Sequence, residues 1–210
     1  MKENKKEFYP LMHPLMFASF CVRHPDTLKD MIHLFFDDLA ISKIVPYKSL
    51  PEYLGIAEDE SEIPEVDASE EGREYLIEEI LAPRKGIAEV RLMRLIETEN
   101  ECEECDCEMI DCLFTTAPFN NHENALSRFE VVDLLNGYDR FVNSPRVLAV
   151  YVNGKEEMLN AEQKDFLKYL REGTDDENST DFVKAVHKKV KAINENEWWR
   201  ILAEPSGKSA

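Results

Sequence analysis

"EVDASEEGREYLIEEI", residues 65–80, holds seven acids and one base, yet its pattern is that of paired strands. Residues 65–68 and 74–80 read as the arms of a hairpin, with Glu70, Glu71 and Gly72 turning the chain between them. Acidic hairpins are most often solvated surface. Carboxylates on neighbouring strands are also an arrangement in which oxygen ligands meet a hard divalent cation. The fold class and any chemistry both turn on this stretch.

Upstream, "HPDTLKDMIHLFFDDL" sets Pro25 and Asp26 in the first turn of a helix whose apolar positions run Leu28, Met31, Ile32, Phe35, Phe36 and Leu39. The preceding "LMFASFCV" reads as a shorter buried helix and "ISKIVPY" as a short strand, while residues 51–64, broken by Pro51, Gly55 and Pro64, read as a loop. Downstream, "GIAEVRLMRLIE" has helical spacing, and "MIDCLFTT" and "RVLAVYV" have the apolar density of buried strands, the second closed by Asn153-Gly154. Asn160 followed by Gln163 predicts a capping box for the helix "AEQKDFLKYLRE". A last helix carries Val183, Val186, Val190 and Ile193 as one stripe. Strands interleaved with helices predict an α/β or α+β domain. Residues 1–157 are expected to form the core with its N-terminal helices, and 158–210 a helical extension of the same compact domain.

The formal charge of -18 is concentrated. Residues 58–80 hold eleven acids and one base, and residues 97–111 eight acids and no base, so these two stretches account for the whole imbalance. Such a surface repels nucleic acid at long range, because DNA affinity draws on neutralised phosphates. Contact with DNA would rest on local basic groups: Arg84, Lys85, Arg91 and Arg94 on one segment, Lys184, Lys188, Lys189 and Lys191 on another, the latter reading as a solvated helix face. With no apolar run long enough to span a bilayer and no apolar leader at the start, a cytoplasmic protein without a membrane partner is expected.

In this order and spacing the chain resembles the PD-(D/E)XK nuclease family transposases, relatives of the recombination-promoting nucleases of bacteria. "PLMFASFCVRHPDTLKDMIHLFFDDLAISKIV" is similar to the family's N-terminal helices and first strand, and residues 65–80 to its metal-site hairpin, which leads into an Ile-Glu-Met-Gln strand. "LFTTAPF" resembles the strand that ends Phe-Asp-Pro-Phe, and "RVLAVYVNGKEEMLNAEQKDFLKYLREG" with "DFVKAVHKKVKAINENEWWRILA" resembles the C-terminal strand, turn and helices. The resemblance implies a mixed sheet flanked by helices and magnesium-dependent cleavage of DNA. It assigns the motif glutamate to Glu78, the upstream metal-holding acid to Glu65 or Asp67, the position of the family's glutamine to Ile80, and a phosphate or helix-packing contact to Arg91.

The departures from the family pattern gather at that centre. Ile80 can neither orient a water nor donate to a phosphate. Glu79 stands where the family has methionine, Ala117 replaces the aspartate of Phe-Asp-Pro-Phe, and His13-Pro14 and Ala18 stand where the first helix commonly offers an acid and a lysine. The segment before "MIDCLFTT" is shortened and rewritten as acids and cysteines. The expectation is a nuclease-like protein with a weak or inactive cleavage site. The alternatives are a working magnesium-dependent endonuclease, with Glu65, Asp67 and Glu78 as metal ligands, and a non-catalytic acidic module that binds a basic protein partner or imitates nucleic acid.

Four of the five cysteines fall in "CEECDCEMIDC": Cys102, Cys105, Cys107 and Cys112. The gap between Cys102 and Cys105 is one that lets two thiolates share a zinc ion. Cys107 is crowded beside Cys105, Cys112 falls in an apolar strand, and no second well-spaced pair exists. An acidic, cysteine-bearing loop without zinc is therefore expected. His13, His24, His33, His122 and His187 are scattered, and Trp198-Trp199 reads as a helix end docked on the core.

Overall fold

The computed structural model describes residues 8–39, 41, 43–45, 66–70, 73–80, 108–116, 118, 123–130, 132–133, 139–140 and 146–196. Their elements run α1 (Pro14–Arg23), α2 (Pro25–Phe35), β1 (Lys43–Val45), β2 (Val66–Glu70), β3 (Arg73–Ile80), β4 (Glu108–Thr115), β5 (Leu126–Glu130), β6 (Val132–Asp133), β7 (Asp139–Arg140), β8 (Arg146–Tyr151), α3 (Ala161–Glu172) and α4 (Asp181–Asn194). Six strands form one mixed sheet in the order β1-β2-β3-β4-β8-β5, and β6 pairs with β7 apart from it. The first three strands are an antiparallel meander, β4 runs parallel to β3 and β8 parallel to β4, and β5 closes the far edge antiparallel to β8. The mixed α/β class expected from the interleaved periodicities is the observed one.

The hairpin is longer than its sequence implied. Glu70 pairs with Arg73, so Glu70 belongs to β2 rather than to the turn, and β3 starts at Arg73. The expected loop over 51–64 and helix over 86–97 lie outside the described residues.

The helices begin and end where local chemistry dictates. Proline sits at the start of both α1 and α2, where its missing N–H costs nothing. It also ends α1, because the residue before Pro25 is pushed out of helical conformation. At α3, Asn160 Oδ1 accepts from the Gln163 N–H and Gln163 Oε1 accepts from the Asn160 N–H, both at 2.9 Å, which completes the predicted capping box. The helix stops at Gly173, whose φ of 71° suits a residue without a Cβ. Asp165 accepts from the Thr180 N–H at 2.7 Å while the Thr180 hydroxyl caps Val183, so α3 fixes the start of α4.

One face of the sheet carries these helices. Ile110, Cys112 and Phe114 of β4 and Leu148 and Val150 of β8 share an apolar cluster with residues of all four helices. The Phe114 ring lies 5.7 Å from that of Phe17 and 6.4 Å from that of Phe35. The stripe on α4 enters the same cluster, with Val183, Val186 and Val190 fully buried. The two C-terminal helices thus contribute to the same core as α1 and α2. Asn194 pins the segment before α1 to the end of α4, accepting from the Tyr9 N–H at 2.9 Å and donating to the Tyr9 carbonyl at 3.0 Å.

Gly154, in the turn after β8, answers to a close approach. A Cβ there would lie 2.5 Å from the backbone of Ala125, where residues 123–125 hydrogen-bond to Lys155. No helix among the described residues is long and apolar enough to cross a membrane.

Candidate functional site

Strand register decides which of the hairpin's acids share a face. Paired residues in a ladder lie on one side, and alternate residues along a strand lie on opposite sides. Asp67 pairs with Leu76, and Glu78 lies two residues further along β3, so Asp67 and Glu78 occupy diagonal positions on one face. Ile80 shares that face, and Glu79 lies on the other with Ile77. Glu65 and Arg91 lie outside the described residues.

The same face continues across the sheet. Leu76 pairs with Asp111, Glu78 with Leu113 and Ile80 with Thr115 in β4; Asp111 pairs onward with Val147, and Leu113 with Ala149. This is the face opposite the four helices. Asp111, Leu113, Thr115, Val147 and Ala149 are nonetheless all buried. Asp111 is a buried acid, and it lies diagonal to Glu78 on the side away from Asp67. Sequence reading passed over it. The signal was present in "MIDCLFTT", where alternation sets Asp111, Leu113 and Thr115 against Cys112 and Phe114, but apolar residues on both faces hid the parity.

Cys112 is a core residue. It is 1% exposed, faces the helices, and burial pushes its thiol pKa well up, with Asp111 adding to the rise and Arg146 opposing it. A metal-binding cysteine is a thiolate, so the chemistry of Cys112 is that of a protonated small hydrophobe. Cys102, Cys105 and Cys107 lie outside the described residues. Among the described residues no group of three His, Cys, Asp or Glu converges to hold a metal ion.

Charged contacts also fix the far edge. Arg128 of β5 grips Asp38, just past α2, with both arms of its guanidinium, one bond at 2.8 Å, and stacks over the Phe36 ring. The buried Arg146 at the start of β8 approaches the same carboxylate at 3.6 Å. The Arg128 hydrogen bonds hold the Asp38 carboxyl below the usual carboxylate range. This network was missed because β5 was not anticipated.

Of the basic groups, Arg84, Lys85, Arg91 and Arg94 lie outside the described residues. On α4, Lys184 donates to the Glu177 carbonyl at 3.1 Å and Lys189 bonds the Thr27 hydroxyl, so both tie neighbouring elements together. His187 of the same helix faces Asp175 at 3.4 Å. No family model, no curated protein and no solved structure matches the chain.

Proposed function

We propose that this chain is a PD-(D/E)XK nuclease-like protein of the transposase kind whose DNA-cleavage centre is impaired. The observation that carries the reading is the sheet: an antiparallel meander followed by a parallel strand, with Asp67 and Glu78 at diagonal positions of one face and Ile80 one step beyond Glu78 on that face. Two carboxylates so related are hard oxygen donors of the type that a magnesium ion accepts while keeping several waters. When bound, such an ion lowers the pKa of a water and offsets charge on the scissile phosphate.

The chain's own part is what falls short. Cleavage also needs a side chain that orients the water and one that donates to the phosphate. The position on the strand that would serve both is Ile80, which has no polar atom. The acidic stretches at 58–80 and 97–111 oppose the approach of DNA as well, most strongly at low salt.

Manganese, which substitutes for magnesium and has an EPR signal, tests the metal face without relying on activity. Titration of the full chain should show one weak site that disappears in Glu78→Gln and in Asp67→Asn. Binding that neither substitution changes would remove the basis for the assignment.

A further inference from the structure

The turn that closes β8 carries an Asn-Gly pair, Asn153-Gly154, whose chemistry the nuclease reading does not use. We propose that Asn153 is a modification site, where loss of ammonia converts the side chain to isoaspartate or aspartate and loosens the joint between this turn and the segment leading into β5.

The reacting groups are neighbours in the chain. The Gly154 nitrogen attacks Asn153 Cγ: an N–Cγ bond forms, the Cγ–Nδ2 bond breaks, and the Gly154 amide proton leaves with Nδ2 as ammonia. Water then opens the cyclic imide at either carbonyl, so the whole conversion consumes a water and releases an ammonia. Opening at the main-chain carbonyl routes the backbone through Cγ and gives isoaspartate. A Cβ on the following residue crowds this attack, and glycine has none. Among the described asparagines Asn153 alone precedes glycine; the others precede alanine, serine or glutamate. Asn153 is also exposed, so water reaches it.

The fold restrains the reaction. Asn153 Nδ2 donates to the Thr116 carbonyl at 2.8 Å, which holds the leaving group. The attacking nitrogen is engaged as well, since the Gly154 N–H donates to the Tyr151 carbonyl at 2.9 Å. Both bonds must open before the imide forms, so conversion follows local opening of the turn.

The product does not fit where the asparagine stood. An ionised carboxylate only accepts hydrogen bonds, and here it would face the Thr116 carbonyl. Isoaspartate also adds a backbone methylene beside Gly154, where even a Cβ would lie 2.5 Å from the Ala125 backbone. The bonds at stake run from the Ala125 N–H to the Lys155 carbonyl at 3.0 Å and from the Lys155 N–H to the Glu123 carbonyl at 2.7 Å.

The test ages the full chain at mildly alkaline pH, folded and in urea, with peptide mass spectrometry that separates isoaspartate from aspartate. Asn153 should convert in both, about tenfold slower or more in the folded chain because two hydrogen bonds must open first. Asn153→Gln, which would have to close a larger and slower-forming ring, should stay unmodified at that position. In the aged native chain the Ala125 and Lys155 amides should exchange with deuterium faster than in the fresh chain, and in aged Asn153→Gln they should not. Four results would each overturn the proposal: equal rates in the folded and unfolded chain; product at another described asparagine ahead of Asn153; no product in the folded chain by the time the unfolded chain is fully converted; or unchanged exchange in the modified chain.

Discussion

Replacing Asn194 by alanine removes the pin between the segment before α1 and the end of α4. The residue is 2% exposed, and its side-chain hydrogen bonds include those from the Tyr9 N–H at 2.9 Å, to the Tyr9 carbonyl at 3.0 Å and to the Val190 carbonyl at 3.1 Å. Each is worth about 1 kcal/mol net, so their loss should cost about 3 kcal/mol. That is a large share of the roughly 5–15 kcal/mol that stabilises a folded domain. For a chain of this size it lowers the melting temperature by about 6–12 °C. Calorimetry with urea unfolding, monitored by circular dichroism and tryptophan fluorescence, reads it directly. The packing of α3 and α4 into the common core requires one cooperative transition that shifts as a whole. A loss below about 0.5 kcal/mol, or a separate early transition, would refute the reasoning and make the C-terminal helices an independent extension.

Other outcomes follow from single contacts. Gly154→Ala sets a methyl group 2.5 Å from the Ala125 backbone and should cost about 1–3 kcal/mol in urea unfolding. For Asp38→Asn, the carboxyl is held below its usual range in the fold, so its stabilisation is present above about pH 4 and is lost as the pH falls through the depressed value. Side chains 46% and 43% exposed reduce that pair to about 1 kcal/mol, so the gap between native chain and variant should hold from pH 7 to about pH 5 and close below about pH 4. Cys21 and Cys112 are buried thiols outside any disulfide and should resist brief iodoacetamide treatment of the native chain, as mass spectrometry of peptides will show.

What could be read from sequence was set by local chemistry. The capping box at Asn160 and Gln163, the valine stripe of α4 and the proline start of α2 depend on neighbours within a turn or two, and they stand where local pattern put them. The strand "RVLAVYV" was legible because β8 is paired on both sides and its first five residues are all buried. Leu126–Glu130 was not legible, because an edge strand is buried on neither face consistently and mixes polarity. The Asp38–Arg128 grip was lost with it, since those residues are 90 positions apart. At the candidate site, alternation alone orders Glu78, Glu79 and Ile80 along β3. That Asp111 joins the face of Asp67 and Glu78 depends on the parallel register of β3 with β4, which no local pattern encodes.

The most direct test is a plasmid-nicking assay with magnesium, run side by side on the native chain, Glu78→Ala, Ile80→Gln and Ile80→Lys. An impaired nuclease centre predicts little or no cleavage by the native chain and by Glu78→Ala, with at most a partial gain from a polar side chain at position 80. Robust cleavage by the native chain that disappears in Glu78→Ala would contradict the account and establish a working endonuclease.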